Sequence, residues 1–67
     1  MNPNRFVIGE RVNFKNHVTG EEMGMMEVTR IANDFVYAAK FFDLSKEFKF
    51  THTGDATWSC NLRISHQ

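Results

Sequence analysis

The fold is decided by one stretch near the middle of the chain, Phe35-Val36-Tyr37-Ala38-Ala39-Lys40-Phe41-Phe42-Asp43. Successive residues of a strand point to opposite faces of the sheet. One face of this stretch therefore carries Phe35, Tyr37, Ala39 and Phe41, and the other carries Val36, Ala38 and Phe42. Apolar side chains on both faces are typical of a strand at the covered centre of a sheet. We expect such a strand over residues 35–43, followed by a turn at Leu44-Ser45-Lys46-Glu47.

Alternation of apolar and polar residues predicts further strands on both sides of this stretch. The alternating positions are Val12 and Phe14, Met26 and Val28, the segment 48–53 and the segment 58–65. Ile31 is out of phase with Val28, so we expect a β-bulge near Arg30. The glycine-containing segments 16–24 and 53–55 are expected to be loops.

Five short strands favour a small closed barrel, because closure removes the exposed strand edges that promote aggregation. We expect a single all-β domain with loose ends at residues 1–5 and 65–67. The alternation predicts a core of Phe14, Val28, Phe50, Trp58 and Leu62.

A rival interpretation is one amphipathic helix over residues 25–46, which would make the fold α+β. Helical spacing is also present in Val28, Ile31, Ala32, Phe35, Ala38, Ala39 and Phe42. Such a helix would leave Val36, Tyr37 and Phe41 exposed, and the β-branched residues at 28–31 disfavour it. The strands are the favoured interpretation, and the helix stays as the alternative.

The composition limits the class of protein. The chain has 67 residues, which allows one domain, and 8 basic residues balance 8 acidic ones. A neutral chain weakly disfavours a dedicated nucleic-acid binder and opposes self-association little. The single Cys60 cannot form an internal disulfide, which favours a reducing compartment. Because no signal peptide is visible and no stretch approaches the ~18 apolar residues of a membrane span, we expect a soluble cytoplasmic protein.

The order of several short motifs resembles the YodC-like family, small bacterial proteins of uncharacterised function within the SH3-like barrels. The matching residues are Gly9-Glu10-Arg11-Val12, Lys15, Met26-Glu27-Val28, Phe41-Phe42-Asp43, Phe50 and Leu62. The Gly-Gly pair that such sequences show after the lysine is missing here, and Phe41 stands where the family prefers Trp. The resemblance implies a small five-stranded SH3-like barrel. It implies no function, because the fold hosts many.

Motifs for chemistry are absent from the sequence. His17, His52, His66 and Cys60 do not have the paired spacing of metal ligands, so we expect solvent-facing histidines and no metal or other cofactor. Cys60 alternates with Trp58 and Leu62, which predicts a buried and unreactive thiol. We therefore expect no catalytic residues and no enzymatic activity.

Phe41 and Phe42 are the best functional clue, because adjacent strand residues cannot both point into a small barrel. The outward ring would be covered either by the chain's own segment around Phe6 or by another molecule. The SH3-like resemblance adds an acidic loop at Glu21 and Glu22, which could attract a basic partner segment, and a stacking surface at Tyr37 or Trp58.

The predicted function is therefore non-catalytic binding of a protein partner, together with or in place of self-association as a dimer through the strand at 35–42. Small modules of this kind are often regulators or inhibitors, including those of phages and other mobile elements. The alternative is a nucleic-acid-binding module of KOW type, using Lys40, Lys46, Lys49 and Arg63 beside Phe48 or Tyr37. A weaker third class is an oligomeric enzyme such as plasmid-type dihydrofolate reductase, whose pore motif the chain does not match.

Overall fold

The computed structural model of the chain describes residues 5–67, which form five antiparallel strands and no helix. The strands are β1 (Arg11–Asn16), β2 (Glu22–Ile31), β3 (Val36–Lys40), β4 (Asp43–Phe50) and β5 (Leu62–His66). They make one sheet in the order β4-β3-β2-β1-β5. The all-β prediction is confirmed, and the helix over residues 25–46 is wrong, because that segment supplies most of β2, all of β3 and the start of β4.

A short segment between β4 and β5 joins the two outer strands of the sheet. Ala56 pairs with Phe50 at the end of β4, and Asp55 pairs with Arg63 on β5. The main-chain N–H of Ala56 donates to Leu62 O at 3.0 Å. The segment thus supplies hydrogen-bond partners to some backbone groups of β4 and β5, which would otherwise be two open edges of the sheet. This connection between the outer strands gives the small barrel-like fold that the sequence predicts.

The core is built from the inward-facing residues of the strands. The largest side chains with essentially no exposed surface are Val12, Met26, Val28, Val36, Phe50 and Ile64. Phe14 is also buried, so three of the predicted core residues are confirmed: Phe14, Val28 and Phe50. Leu62 is half-buried and packs against this core from its rim.

Two predictions about the central strands are confirmed. β3 lies between β2 and β4, and its Val36 and Ala38 point into the core. The register between β2 and β3 shifts by one residue between Val28 and Arg30. This bulge restores the phase of the apolar positions, so that Ile31 packs against the core as well.

The turn after β3 begins three residues earlier than predicted. Lys40 pairs with Asp43, so Phe41 and Phe42 form the loop of the β3–β4 hairpin, which is named the hairpin tip below. Leu44-Ser45-Lys46-Glu47, predicted as a turn, belong to β4. On β4, these four residues lie between Asp43, which pairs with Lys40, and Phe48, which pairs with Ala38. On β3, only Ala39 lies between the same two pairs, so the pairing is irregular here. The irregularity brings Phe50 into register with Val36.

The last strand begins later and ends later than predicted. Trp58 and Cys60 precede β5 in a loop, so the alternation from residue 58 does not describe one strand. Cys60 is exposed and the predicted buried thiol is wrong. Ser65 and His66, predicted as loose, pair with Asn13 and Val12 of β1. Residues 1–4 of the predicted loose start lie outside the described residues.

Candidate functional site

The hairpin tip exposes two large aromatic rings. Phe42 is 85% exposed and Phe41 is 42% exposed, although a buried aromatic ring would contribute favourably to folding. The sequence predicts one outward ring at this pair, but both rings lie outside the core because they occupy a turn and not a strand. Phe6 does not cover them, since it is buried in the core and stacks on His66 at 4.4 Å between ring centroids.

Two cations of the chain lie over the rings of the tip. The Arg11 guanidinium carbon is 5.3 Å from the centroid of Phe41, and the Lys40 Nζ is 5.8 Å from the centroid of Phe42. Such contacts between a cation and an aromatic face contribute about 0.5–1 kcal/mol at exposed sites. They shield the rings only partly, so the tip presents apolar surface with positive charge beside it.

The exposed apolar surface continues from the tip along β4. Phe42 and Phe48 line the same shallow cavity of about 200 Å³, together with Lys40, Asp43 and Lys46. Phe48 contacts Trp58 at 5.4 Å between ring centroids, and Trp58 is 49% exposed. Phe42, Phe48 and Trp58 therefore form a strip of aromatic rings, which is named the aromatic strip below.

Trp58 combines two environments. Its ring also lies 5.3 Å from Phe50 in an edge contact, so one side touches the buried core while the other meets solvent. Its prediction as a core residue is therefore wrong in part. The loop 57–61 holds the ring there, and Thr57 Oγ1 donates to Lys49 O at 3.2 Å.

Tyr37 is separate from the tip. It lies near the opposite end of β3, and the Arg30 guanidinium covers its ring at 4.1 Å from the centroid. Glu47 holds that arginine at 3.2 Å. In the same way, Lys49 Nζ covers Phe35 at 4.0 Å. The outer face of β3 is thus covered by the chain's own cations, which makes it less suited to the apolar dimer contact predicted for it.

Glu21 and Glu22 lie at the same end of the sheet as the tip. Glu22 pairs with Lys15 near the start of β2, and Met26, further along β2, pairs with Lys40 at the end of β3. Both carboxylates are exposed. Among residues 5–67, neither forms an ion pair.

The described residues 5–67 contain no group of three or more His, Cys, Asp or Glu side chains placed to hold a metal ion. No helix in this range is long and apolar enough to cross a membrane. The three histidines are exposed, as predicted, and each is held by a hydrogen bond: His17 to Cys60 O, His52 to the carbonyls of residues 32 and 33, and His66 to Glu10.

One carboxylate has a shifted pKa. Arg63 Nε donates to Asp55 Oδ1 at 2.9 Å, and Thr53 Oγ1 donates to Asp55 Oδ2 at 3.0 Å. These two hydrogen bonds, the one from Arg63 first, lower the pKa of Asp55 below its usual value because they favour the charged form. A carboxylate held ionised in this way serves as an acceptor and not as a general acid.

The sequence indicated Phe41 and Phe42 as partner-binding residues, Trp58 as a core or stacking residue, and Lys46 and Phe48 as part of a nucleic-acid surface. It did not indicate that these residues lie on one surface, and Arg11 was assigned to a polar strand face. The signal that could have found the tip is the pair of opposite charges, Lys40 and Asp43, that flanks the two aromatic residues and closes the hairpin.

Comparison of the chain with models of known protein families, with curated proteins and with solved structures finds no match. The resemblance to the YodC-like family therefore stays a prediction, and the fold rests on the strand order and pairing described above.

Proposed function

We propose that the protein is a non-catalytic binding module that attaches to a protein partner through the hairpin tip and the aromatic strip. The observation that carries this proposal is the 85% exposure of Phe42 at a position continuous with Phe48 and Trp58. Aromatic residues and arginine are enriched at the energetically dominant centres of protein interfaces. The module would act by covering a surface of its partner, as regulators and inhibitors do.

The charges around the tip favour a partner segment that is apolar and acidic. Arg11, Lys40 and Lys46 surround the exposed rings, and they could pair with carboxylates at the rim of an interface. An acidic partner segment replaces the basic partner segment that was expected when only Glu21 and Glu22 were considered.

Nucleic acid is the second candidate, because cations lie beside aromatic rings at four places on the surface. The composition weighs against it, because the chain carries no net positive charge and a dedicated nucleic-acid binder usually has a basic excess. Arg63, predicted to share this face, lies on β5 and lines a different cavity.

The test is a matched pair of variants in the full chain. Phe42→Ser removes the most exposed ring of the tip, and Ile8→Ser removes an exposed apolar side chain that precedes β1, on another part of the surface. A partner captured by the parent protein should bind Phe42→Ser about 30-fold or more weakly, as truncated interface anchors do. Ile8→Ser should bind like the parent. Equal loss in both variants would contradict the proposal.

Self-association and nucleic-acid binding have their own measurements. Sedimentation velocity of the parent and of Phe42→Ser shows whether the tip joins two copies of the chain. An affinity for DNA or RNA that falls steeply with salt and weakens in Phe42→Ser would favour the second candidate, because nucleic acid would then bind at the tip.

A further inference from the structure

A second surface lies away from the hairpin tip, where residues 5–6, the loop after β4 and β5 meet. An open cavity of about 600 Å³ is present there. Most of its described lining residues carry side-chain hydrogen-bond donors, namely Arg5, Asn33, His52, Thr53, Arg63, Ser65 and His66. Pockets for small ligands commonly have volumes of about 300–1,000 Å³, so this cavity is large enough for an organic molecule.

The described residues that line the cavity include two guanidinium groups and two imidazoles, and no Asp or Glu. Two carboxylates lie beside these groups, because Asp55 pairs with Arg63 and Glu10 pairs with His66. Arginine side chains bind carboxylates and phosphates with parallel hydrogen bonds, which favours an oxyanion as the ligand.

Arg63 is held in a defined orientation. Its Nε donates to Asp55 at 2.9 Å, and Asp55 is in turn fixed by Thr53 Oγ1 at 3.0 Å. Among residues 5–67, no hydrogen bond uses the two terminal nitrogens of Arg63. Asp55 therefore acts as a positioning residue, which orders the guanidinium while its two terminal nitrogens remain available to a ligand.

The imidazoles are also oriented by the fold. His52 Nε2 lies 3.0 Å from the main-chain oxygens of Ala32 and Asn33, and because carbonyls only accept, this nitrogen carries the hydrogen. The His66 ring stacks on Phe6 with an angle of 13° between the ring planes. The cavity thus combines oriented hydrogen-bond donors with a flat, stacked ring in its wall.

We propose that this cavity binds a small organic phosphate of about mononucleotide size, with the phosphate at Arg5 and Arg63. Phosphate matches the two guanidinium groups. The remaining volume, with its apolar lining from Phe6 and Ile64, suits the organic part. This ligand is distinct from the protein partner of the hairpin tip, so either proposal can fail without the other.

The test is a titration of the full chain, in which binding is detected by shifts of the backbone amide signals in nuclear magnetic resonance spectra. The probes are adenosine monophosphate, ribose 5-phosphate, inorganic phosphate and adenosine. We expect both phosphate esters to shift signals at residues 5–6, 52–53 and 63–66, and adenosine to shift none. Binding of adenosine equal to that of the nucleotide would overturn the proposal. Inorganic phosphate binding as tightly as the esters would overturn the assigned size.

Two variants and a matched control complete the test. Arg5→Gln and Arg63→Gln should each weaken binding of the nucleotide about tenfold or more. Arg30→Gln is the control, because Arg30 also pairs with one carboxylate, Glu47, but lies outside the cavity. Equal weakening by all three variants would indicate general charge attraction and contradict the site. Arg5 is exposed and outside the sheet, so Arg5→Gln keeps the test valid if Arg63→Gln fails to fold.

Discussion

Phe6 and Phe42 are the same residue type in opposite environments. Phe6 is 7% exposed, belongs to the core cluster and stacks on His66, whereas Phe42 is 85% exposed at the hairpin tip. The region around Phe6, Gly54, Ile64 and His66 is named the closed end below, because the segment after β4 joins β5 there through main-chain hydrogen bonds such as that from Ile64 N–H to Gly54 O at 2.8 Å. Its outer surface forms part of the wall of the cavity proposed to bind a phosphate. The hairpin tip has only two cations over its rings. The comparison indicates that the buried ring of Phe6 contributes to stability, whereas the exposed ring of Phe42 is free to contribute to binding.

The largest effect expected from this comparison is on Phe6. Phe6→Ala should lower the free energy of unfolding by about 3–5 kcal/mol, because it removes a buried aromatic ring and leaves a cavity. Phe42→Ala should change it by less than about 0.5 kcal/mol, since the ring is already in water. Urea unfolding of both variants measures the difference. Similar losses would show that the tip is part of the folded core.

Gly54 tests the closed end through the main chain. Its φ is +98°, and a Cβ there would lie 2.2 Å from the main-chain oxygen of Ile64. Because that oxygen belongs to β5, Gly54→Ala forces the strand to move, and we expect a loss of about 2–4 kcal/mol.

Gly20→Ala is the matched control. Gly20 also has a positive φ, +80°, but open space surrounds the position of a Cβ. The expected loss is about 1 kcal/mol, from backbone strain alone. Thermal melts of the two variants compare them, and equal shifts in melting temperature would mean that the contact with Ile64 is unimportant.

Trp58 lies between the two extremes, so its truncation should have an intermediate effect. Trp58→Ala should cost about 1–2 kcal/mol, because only the side facing Phe50 is buried, while Phe50→Ala should cost about 3–5 kcal/mol. Both are measured by urea unfolding. If Trp58→Ala loses as much free energy of unfolding as Phe50→Ala, then Trp58 is a core residue and the aromatic strip consists of Phe42 and Phe48 only.

The smallest effect concerns pH at the closed end. The hydrogen bond from Arg63 lowers the pKa of Asp55 in the folded protein below the usual value of 3.8. The stability from this pair is therefore present above pH 3.8 and is lost as the pH falls through the lower, folded-state pKa. Both side chains are exposed, and such pairs contribute about 0.2–1 kcal/mol.

Asp55→Asn should reduce stability slightly at pH 7 and should make the loss of stability below pH 3.8 smaller than in the parent. Urea unfolding at a series of pH values measures this. Asp34→Asn is the control, because Asp34 is exposed and has no hydrogen bond or ion pair among residues 5–67. Identical pH profiles for the parent and Asp55→Asn would show that the pair of Asp55 and Arg63 does not stabilise the closed end.

The candidate site could be predicted only in part from the sequence. Phe41 and Phe42 stood out because two adjacent large apolar residues cannot both enter a small core. Their place in a turn was missed, since aromatic residues are uncommon there and Leu44-Ser45-Lys46-Glu47 has a more typical turn composition. The arrangement of Phe48 and Trp58 beside the tip could not be predicted, because it depends on how β4 and the loop 57–61 pack together.

The sequence by itself determined the strand periodicity and the position of the bulge in β2, and it favoured the all-β class over a helix at residues 25–46. These follow from the local alternation of side chains, which appears directly in residues such as Val12, Phe14, Met26 and Val28. Only the tertiary structure decided where strands end and which apolar residues stay in water. Trp58, Cys60 and Phe6 depend on contacts between residues far apart in the chain, and alternation carries no information about such contacts.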